Sequence, residues 1–397
     1  MTMTTNNNPL LNCPPLRFPE FSDPWQQTTL GAIGEIRMCK RILANQTNKE
    51  GGVPFFKIGT IGKKEDSYIP ETLFHEYKSK YPYPDKGQIL ITCAGTIGRC
   101  LVFDGSDAYY QDSNIVWIDN EESSITNQYL FYVLNGTDWS KLNTSTIVRL
   151  YNDDLRALSI SLPSLEEQRK IADFLSLIDE RIETQRQTIS HLYSLSMGFY
   201  LCIRNKRKVK WSKVFLRDVM TIRKEKNSKN AEVHSVSVNR GIINQIEHLG
   251  RSFAAKDTKH YNLVYNGDLV YTKSPTGQFP FGIVKQSFIK KPVAVSPLYG
   301  VYIPANIYVG RIIHSFFLSS VRATSYLASL VQKGAKNTMN ITTEHFLDNE
   351  IYLPLNIEEQ RKIAELLAIF DERIDAEEAL LKCYEAQKRY LLRQMFV

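Results

Sequence analysis

Asp66, Glu76 and Lys78 have the residue types of a nuclease centre: two carboxylates to hold a metal and a lysine to orient the attacking water. The spacing leaves an autonomous nuclease open as one reading. Gly95–Gly98, GTIG, has the form of the GxxG clamp that grips a nucleic-acid backbone, but a lone GxxG is a weak signal and a strand-ending turn is the better reading. Beyond these the sequence offers no familiar catalytic apparatus. It contains no GxxxxGK[ST] phosphate loop, no HExxH, no GxSxG and no glycine fingerprint following a strand. The histidines (His75, His191, His234, His248, His260, His314 and His345) have no metal-ligand spacing, and the cysteines (Cys13, Cys39, Cys93, Cys100, Cys202 and Cys383) form no CxxC. No bound metal and no disulfide framework are expected. A reducing cytoplasm is the matching compartment.

Groups suited to binding are more plentiful than groups suited to catalysis. Lys57, Thr60, Lys63 and Lys64, then Thr92, Thr96 and Arg99, lie near strand ends in the first part of the chain. Lys273, Ser274, Thr276 and Gln278, then Lys333, Lys336, Asn337 and Asn340, do so in the second. Lysine and arginine supply sequence-independent phosphate contacts; Gln, Asn, Thr and Arg can read donor and acceptor patterns on base edges. The net charge of +7 is moderate but uneven. Between residues 204 and 229 stand eleven Lys or Arg against Asp218 and Glu225, a basic run that fits either a solvated linker or a phosphate clamp.

The elements that must position these groups come in duplicate. LPSLEEQRKIADFLSLIDERI at residues 162–182 returns as LPLNIEEQRKIAELLAIFDERI at 353–374. From Glu166 to Ile182, twelve of seventeen residues are identical to the residue 192 places later, where ordinary composition gives roughly one match. Each copy opens a helix. Ser164 with Glu167, and Asn356 with Glu359, have the N-cap and reaching carboxylate of a capping box. Glu166 to Lys170 and Glu358 to Lys362 add i,i+4 pairs. Ile171, Leu175, Ile178, Ile182, Gln185, Ile189, Leu192, Ser196, Phe199 and Ile203 then step by fours and threes. Ile363, Leu367, Phe370, Ile374, Glu377, Leu381, Tyr384, Lys388, Leu391 and Met395 repeat the pattern, polar interruptions included. Helices of about 40 residues would run about 60 Å, longer than one compact domain needs, so they are expected to pair with each other as an intramolecular coiled coil.

Before each helix lies a stretch of short β-rich runs, Gly, Asp and Asn turns and one or two helical segments. Strands are expected at 55–61, 88–93 and 115–118 with a helix at 126–134, and at 233–238, 268–272, 282–285 and 293–303 with a helix at 309–331. Weak echoes of duplication survive inside them: Trp25, Leu30 and Ile36 match Trp211, Leu216 and Ile222, and GQILIT at 87–92 resembles GDLVYT at 267–272. The expected division is a tail at 1–21, an α+β domain at 22–163, a helix at 164–205, a second α+β domain at 206–354 and a helix at 355–397. The fold class is therefore α+β, two similar domains joined by two long paired helices in a pseudo-twofold duplication. No apolar run approaches the ~18 residues of a membrane span, and the polar start MTMTTNNNPLLN lacks the zones of a signal peptide, so no membrane association is expected.

The paired LP..EEQRKIA...L...DERI motifs, each closing an α+β domain and opening a heptad helix, resemble the specificity subunit of type I restriction-modification systems; LRFPEF at 16–21 is similar to a signature near the N-terminus of that family. The resemblance implies that each domain is a target-recognition domain reading one half of a bipartite site in double-stranded DNA. It implies antiparallel coiled-coil helices that act as a spacer ruler and docking site for two methyltransferase subunits, and through them two restriction and translocase subunits. Glu167, Gln168, Arg169, Ile171, Leu175 and Asp179, with Glu359, Gln360, Arg361, Ile363, Leu367 and Asp371, match the family's repeat regions and take the spacer and docking roles by that likeness. S-adenosylmethionine, ATP and Mg are then expected on partner subunits and no cofactor on this chain, which lacks NPPF and DPPY and would be non-catalytic by itself. A coiled-coil scaffold or regulator without a methyltransferase partner is the remaining alternative.

Overall fold

The computed structural model describes residues 13–139, 149–205, 209–246, 257–333 and 339–397. The chain divides into two compact units. One runs through Thr184 and takes in Leu381–Val397; the other is Gln185–Leu380. The long helices, Leu165–Arg204 and Ile357–Gln394, each contribute to both units.

The two units are built on the same frame. In the first, a four-stranded antiparallel sheet has the order Glu35–Arg37, Ile115–Asp119, Ile89–Thr92, Cys100–Val102. In the second, the order Met220–Ile222, Gly300–Pro304, Leu269–Tyr271, Val284–Gln286 repeats it. Ile89–Thr92 is buried at all four positions, which is why it reads as a continuous apolar run and not as an alternation. A separate ladder leads each domain into its long helix: Gln26–Thr29 pairs with Ser159–Leu162, and Trp211–Phe215 with Glu350–Pro354. The additions to the frame differ. The first unit has strands Val53–Phe56, Tyr68–Ile69 and Tyr109–Tyr110 and a helix, Glu71–Lys80, around an aromatic core. The second has hairpin strands His234–Ser237 and Gly241–Asn244 and the pair Asn262–Val264 with Val293–Val295.

Three expected elements are broken by local turns. The strand expected at 55–61 ends at Phe56, where the Thr60 and Ile61 N–H groups donate to the Lys57 carbonyl at 3.0 and 2.9 Å. The run 293–303 is two strands, Val293–Val295 and Gly300–Pro304, parted where the Tyr299 N–H donates to the Ser296 carbonyl at 3.1 Å. The helix expected at 309–331 is Ile307–Phe317 and Ser320–Ala328. Ser319 caps the second piece, and the Arg322 guanidinium donates to the Ser315 and Phe316 carbonyls at the end of the first. The apolar pattern runs through the latter two breaks because the two pieces of each run share a core, Val293, Val295 and Val301 in one and the helix pieces in another.

The long helices start where the caps place them. Ser164 Oγ accepts the Glu167 N–H at 3.3 Å, and Asn356 Oδ1 accepts those of Glu358 and Glu359 at 2.8 and 3.2 Å. The reaching carboxylate of the first capping box is a correction: the Glu167 side chain turns to Arg17 instead, accepting from Nε at 2.7 Å and Nη2 at 2.8 Å. Within each unit the helix halves pair antiparallel. Asp179 pairs with Lys388 and Arg181 lies over Tyr384 in the first; Gln185 donates to the Glu377 carbonyl at 3.0 Å and Phe199 packs on Phe370 in the second. Gln185 and Glu377, two polar interruptions in the seam, thus satisfy each other while buried.

Ile171, Ala172 and Leu175 are buried in one core with Leu391 and Met395, and Ile363 and Leu367 in another with Tyr200 and Ile203. Leu175 is fully enclosed. Leu175→Ala is expected to cost about 2–5 kcal/mol from lost burial plus the cavity left behind. A urea melt of the variant against wild type measures it, and a midpoint unchanged from wild type would contradict this packing.

Candidate nucleic-acid interface

In both units the loop after the third strand of the sheet is closed by a buried threonine. Thr92 donates its N–H to the Arg99 carbonyl at 3.0 Å, and its hydroxyl donates to the Thr96 carbonyl at 2.6 Å and accepts the Arg99 N–H at 3.0 Å. Thr272, its counterpart in GDLVYT, bonds the Ile283 carbonyl and accepts the Ile283 N–H at 3.1 Å. Thr92 is therefore a clamp beneath the loop and presents no side chain to a ligand. Thr60 has a similar part, its Oγ1 accepting the Lys57 N–H at 3.0 Å within a turn.

The remaining first-unit candidates gather on two touching loops. A Cβ at Gly62 would come within 3.3 Å of the Arg99 guanidinium, and one at Gly95 within 3.2 Å of Ile58. Lys57, beside Asp66 at 3.4 Å, and the exposed Lys63, Lys64 and Thr96 share this surface with Arg99. GTIG forms a turn, with Gly95 and Gly98 at φ +68° and +74°. Gly98 has a second reason to lack a side chain, because a Cβ there would meet the Trp139 indole at 2.1 Å. Arg149, which sequence reasoning missed, bridges to Ala94 and lies over the exposed Tyr151 ring. Its only sequence signal is a place in the segment before the repeat helix.

In the second unit, Lys273 opens the loop in the left-handed region at φ +61° and donates Nζ to Thr343 Oγ1 at 2.7 Å. Ser274 is exposed, its carbonyl accepting the Thr276 hydroxyl at 3.1 Å. Thr276 bridges to Phe279 across a tight turn that leaves Gln278 exposed. A pocket of about 260 Å³ lined by Lys273, Val331 and Ile341 ties this loop to the paired strands Gln332–Lys333 and Met339–Asn340, which carry Lys333 and Asn340. Lys336 and Asn337 lie outside the described residues. The two units thus place a loop of divergent length against the segment preceding the repeat helix.

Of the basic run, Lys206, Arg207 and Lys208 lie outside the described residues, and several of the others are engaged within their own unit. Lys213 pairs with Glu350, Arg217 with Asp348 and Arg223 with the buried Asp268, while Lys226 donates to Asn262 and Arg204 lies over Tyr352. The nuclease candidates point to different partners: Asp66 to Lys57, Glu76 to Lys80, and Lys78 to Asp107. Among the described residues no group of His, Cys, Asp and Glu could hold a metal, and no helix is long and apolar enough to cross a membrane. His75 is exposed beside Phe74.

The helix residues singled out in the sequence mostly face inward. Gln168 Oε1 accepts the Thr126 N–H at 2.9 Å and its amide donates to the Ser124 and Pro163 carbonyls; Gln360 accepts from Asn306 at 3.0 Å and donates to the Pro354 carbonyl. Asp179 takes the Tyr132 hydroxyl as well as Lys388, and Asp371 pairs with Arg311. Ile171, Leu175, Ile363 and Leu367 are core. The outward face of the same helices carries Glu166, Arg169, Asp173, Leu177 and Glu180 in one copy and Glu358, Arg361, Glu365, Ile369 and Glu372 in the other. Leu177 and Ile369, at equivalent places, are 61% and 60% exposed. The helix sequence is therefore duplicated on its solvent face too, where folding makes no such demand.

The type I restriction modification DNA specificity domain matches residues 22–192 and again 208–383. The chain belongs to the type I restriction-modification DNA specificity family. Sequence specificity toward DNA is the office of that family, and the resemblance read from the paired repeats holds. A Haemophilus influenzae protein, provisionally assigned as a type I restriction enzyme specificity subunit, is 52% identical over 161 residues. That match spans 41% of this chain and 41% of the relative. The crystal structure of a type I restriction-modification S subunit from M. genitalium shares the fold at a TM-score of 0.57 and 14% identity, over 97% of this chain and 99% of that one. The α+β class, with two like domains and long antiparallel helices, stands as read from the sequence.

Gln278 and Lys285 both line a cleft of about 640 Å³ in the second unit. Burial pushes the Lys285 ammonium down to about 8, with Asp371 partly opposing. An unfolded lysine titrates near 10.4, so between about pH 8 and 10 the unfolded chain binds the extra proton, and the charged folded form is disfavoured below that window. Lys285→Met is expected to be more stable than wild type at pH 7 by on the order of 3 kcal/mol, the difference shrinking as pH rises toward 10. Paired thermal melts across that range test it; a constant difference would remove the buried charge as its cause.

Proposed function

We propose that this chain is the recognition subunit of a type I complex, each unit reading one half of a bipartite target in double-stranded DNA. The loop surface of Lys57, Lys63, Lys64, Thr96, Arg99 and Arg149 serves one half, and that of Lys273, Ser274, Thr276 and Gln278 serves the other, with Lys333, Lys336, Asn337 and Asn340 assigned to the same half from the sequence. Cations hold phosphates, and the amide and hydroxyl side chains meet base edges. Thr60, Thr92 and Thr272 support these loops from beneath. The long helices set the unspecified gap between half-sites. Two modification subunits dock on the helices, bring S-adenosylmethionine, and recruit ATP- and Mg-dependent restriction subunits; this chain is non-catalytic and acts in the cytoplasm.

One observation carries the docking part of this reading: the outward stripe is repeated in both copies, identical at Glu166/Glu358, Arg169/Arg361 and Glu180/Glu372 and conservatively exchanged at Asp173/Glu365 and Leu177/Ile369. A buried face is repeated because two domains need the same packing. An exposed face of alternating charge around one apolar residue is repeated when two identical partners must each find it. The inner residues Gln168, Ile171, Leu175, Asp179, Gln360, Ile363, Leu367 and Asp371, together with Glu167, then hold the helices in place, while Arg169, Arg361 and Glu359 stand nearer the partner.

Leu177→Arg and Ile369→Arg are each expected to remove one modification subunit from the co-purified complex, and the double variant to remove both, with the melting temperature held because both sites are exposed. Wild-type stoichiometry in the double variant would sink the docking face. Mapping N6-methyladenine in a host that otherwise lacks it, with the neighbouring methyltransferase gene co-expressed, should show a bipartite motif with a fixed gap. Inserting four residues at the middle of one long helix should then change the gap and leave both half-sites as they were. An unchanged gap would contradict the ruler.

A further inference from the structure

The second unit contains a feature for which its twin has no counterpart. In both sheets the edge strand pairs with its neighbour in the same register, so Lys285, opposite Val270, occupies the place of Leu101, opposite Leu90. A lysine thus stands where the same frame elsewhere takes a leucine. It is 5% exposed, and among the described residues no carboxylate is within ion-pair distance and no hydrogen bond is made by its ammonium. A desolvated ammonium with only the charge of Asp371, beyond ion-pair distance, to offset it opposes folding, so the position is costly unless something else uses the charge.

Lys285 opens onto two adjoining spaces of about 640 and 250 Å³ that share Tyr193, Asn239 and Leu318. The larger is in the size range of small-molecule sites. One wall is apolar, from Ile189, Met197, Val238 and Phe279. The lining also takes in Ser319, Ser320 and Val321, the start of helix Ser320–Ala328, whose first amides have no partner within the helix. The acids in the walls are committed in part: Glu378 accepts the Tyr193 hydroxyl at 3.1 Å and Asp371 pairs with Arg311, with Asp375 at the smaller end.

We propose that this cleft binds a small phosphate monoester, its phosphate held between the Lys285 ammonium and the Ser319–Val321 helix start and its apolar body against the Met197 and Phe279 wall. This goes beyond DNA recognition and does not depend on it. The charge is fixed in place before the ligand arrives, so binding offsets its desolvation and stabilises the second unit. A ligand so placed touches the long helix and the loop bearing Gln278 at once.

The test uses the full chain without DNA or partner subunits, with phenyl phosphate and inorganic phosphate as probes in titration calorimetry and thermal melts. Phenyl phosphate should bind saturably at one site per chain, at least ten-fold more tightly than inorganic phosphate, and raise the melting temperature. Lys285→Met, which should fold at least as stably as wild type, should lose that binding by ten-fold or more; Leu101→Met in the twin position should not change it. Absence of saturable binding, binding equal in Lys285→Met, or equal affinity for the two probes would each overturn the proposal.

Discussion

The structure depends on the burial of one face of each long helix over its first three turns. A helix of this length cannot be held by its own hydrogen bonds alone, since isolated helices are marginal in water. Ile171, Ala172 and Leu175, and their counterparts Ile363 and Leu367, supply the apolar area, and the glutamines supply the register. Gln168 and Gln360 each satisfy groups at the start of a neighbouring helix of their own domain, at Thr126 and Asn306, and the carbonyl of the proline that precedes their own helix. Buried amides with no alternative partner fix the helix axially, since a shift of one residue would strand them.

With that face spoken for, the outward stripe acquires its meaning. The same residues on a free helix would be ordinary solvated charge. Placed opposite a packed face, Glu166, Arg169, Asp173, Leu177 and Glu180 form a surface of defined orientation, and their counterparts form another of the same kind. The units also differ at the helix starts. Arg17 and the segment from Leu16 to Phe21 cover Glu167 and Phe174 in the first, with Phe18 edge-on to Phe174 at 5.9 Å, while Leu366, in the place of Phe174, is 45% exposed in the second.

The recognition loops follow a different economy. A buried threonine clamp at the loop base, Thr92 or Thr272, holds the ends, leaving length and composition between them free to vary. This accounts for two domains with one sheet order and unlike loops: packing constrains the strands, whereas loop residues meet solvent or ligand. Lys285 departs from that rule, a polar change within the shared sheet that alters one unit's interior.

Sequence by itself determined the duplication, the helix starts, the heptad seam and the α+β class, because caps, apolar periodicity and repeated words are local and survive without knowledge of the fold. It also drew attention to loops that do lie together. Burial it could not assign. Gln168, Asp179 and Thr92 look like surface polar residues in the chain and are internal fasteners in the fold, while Leu177 and Ile369 look like core and face solvent. The breaks at 296–299 and 318–319 were hidden because both pieces of each run face one apolar core. Arg149 beside Ala94, and Lys285 in the place of Leu101, are relations between strands distant in sequence. Only the tertiary structure decided them, since which side of an element meets the core is settled by what packs against it.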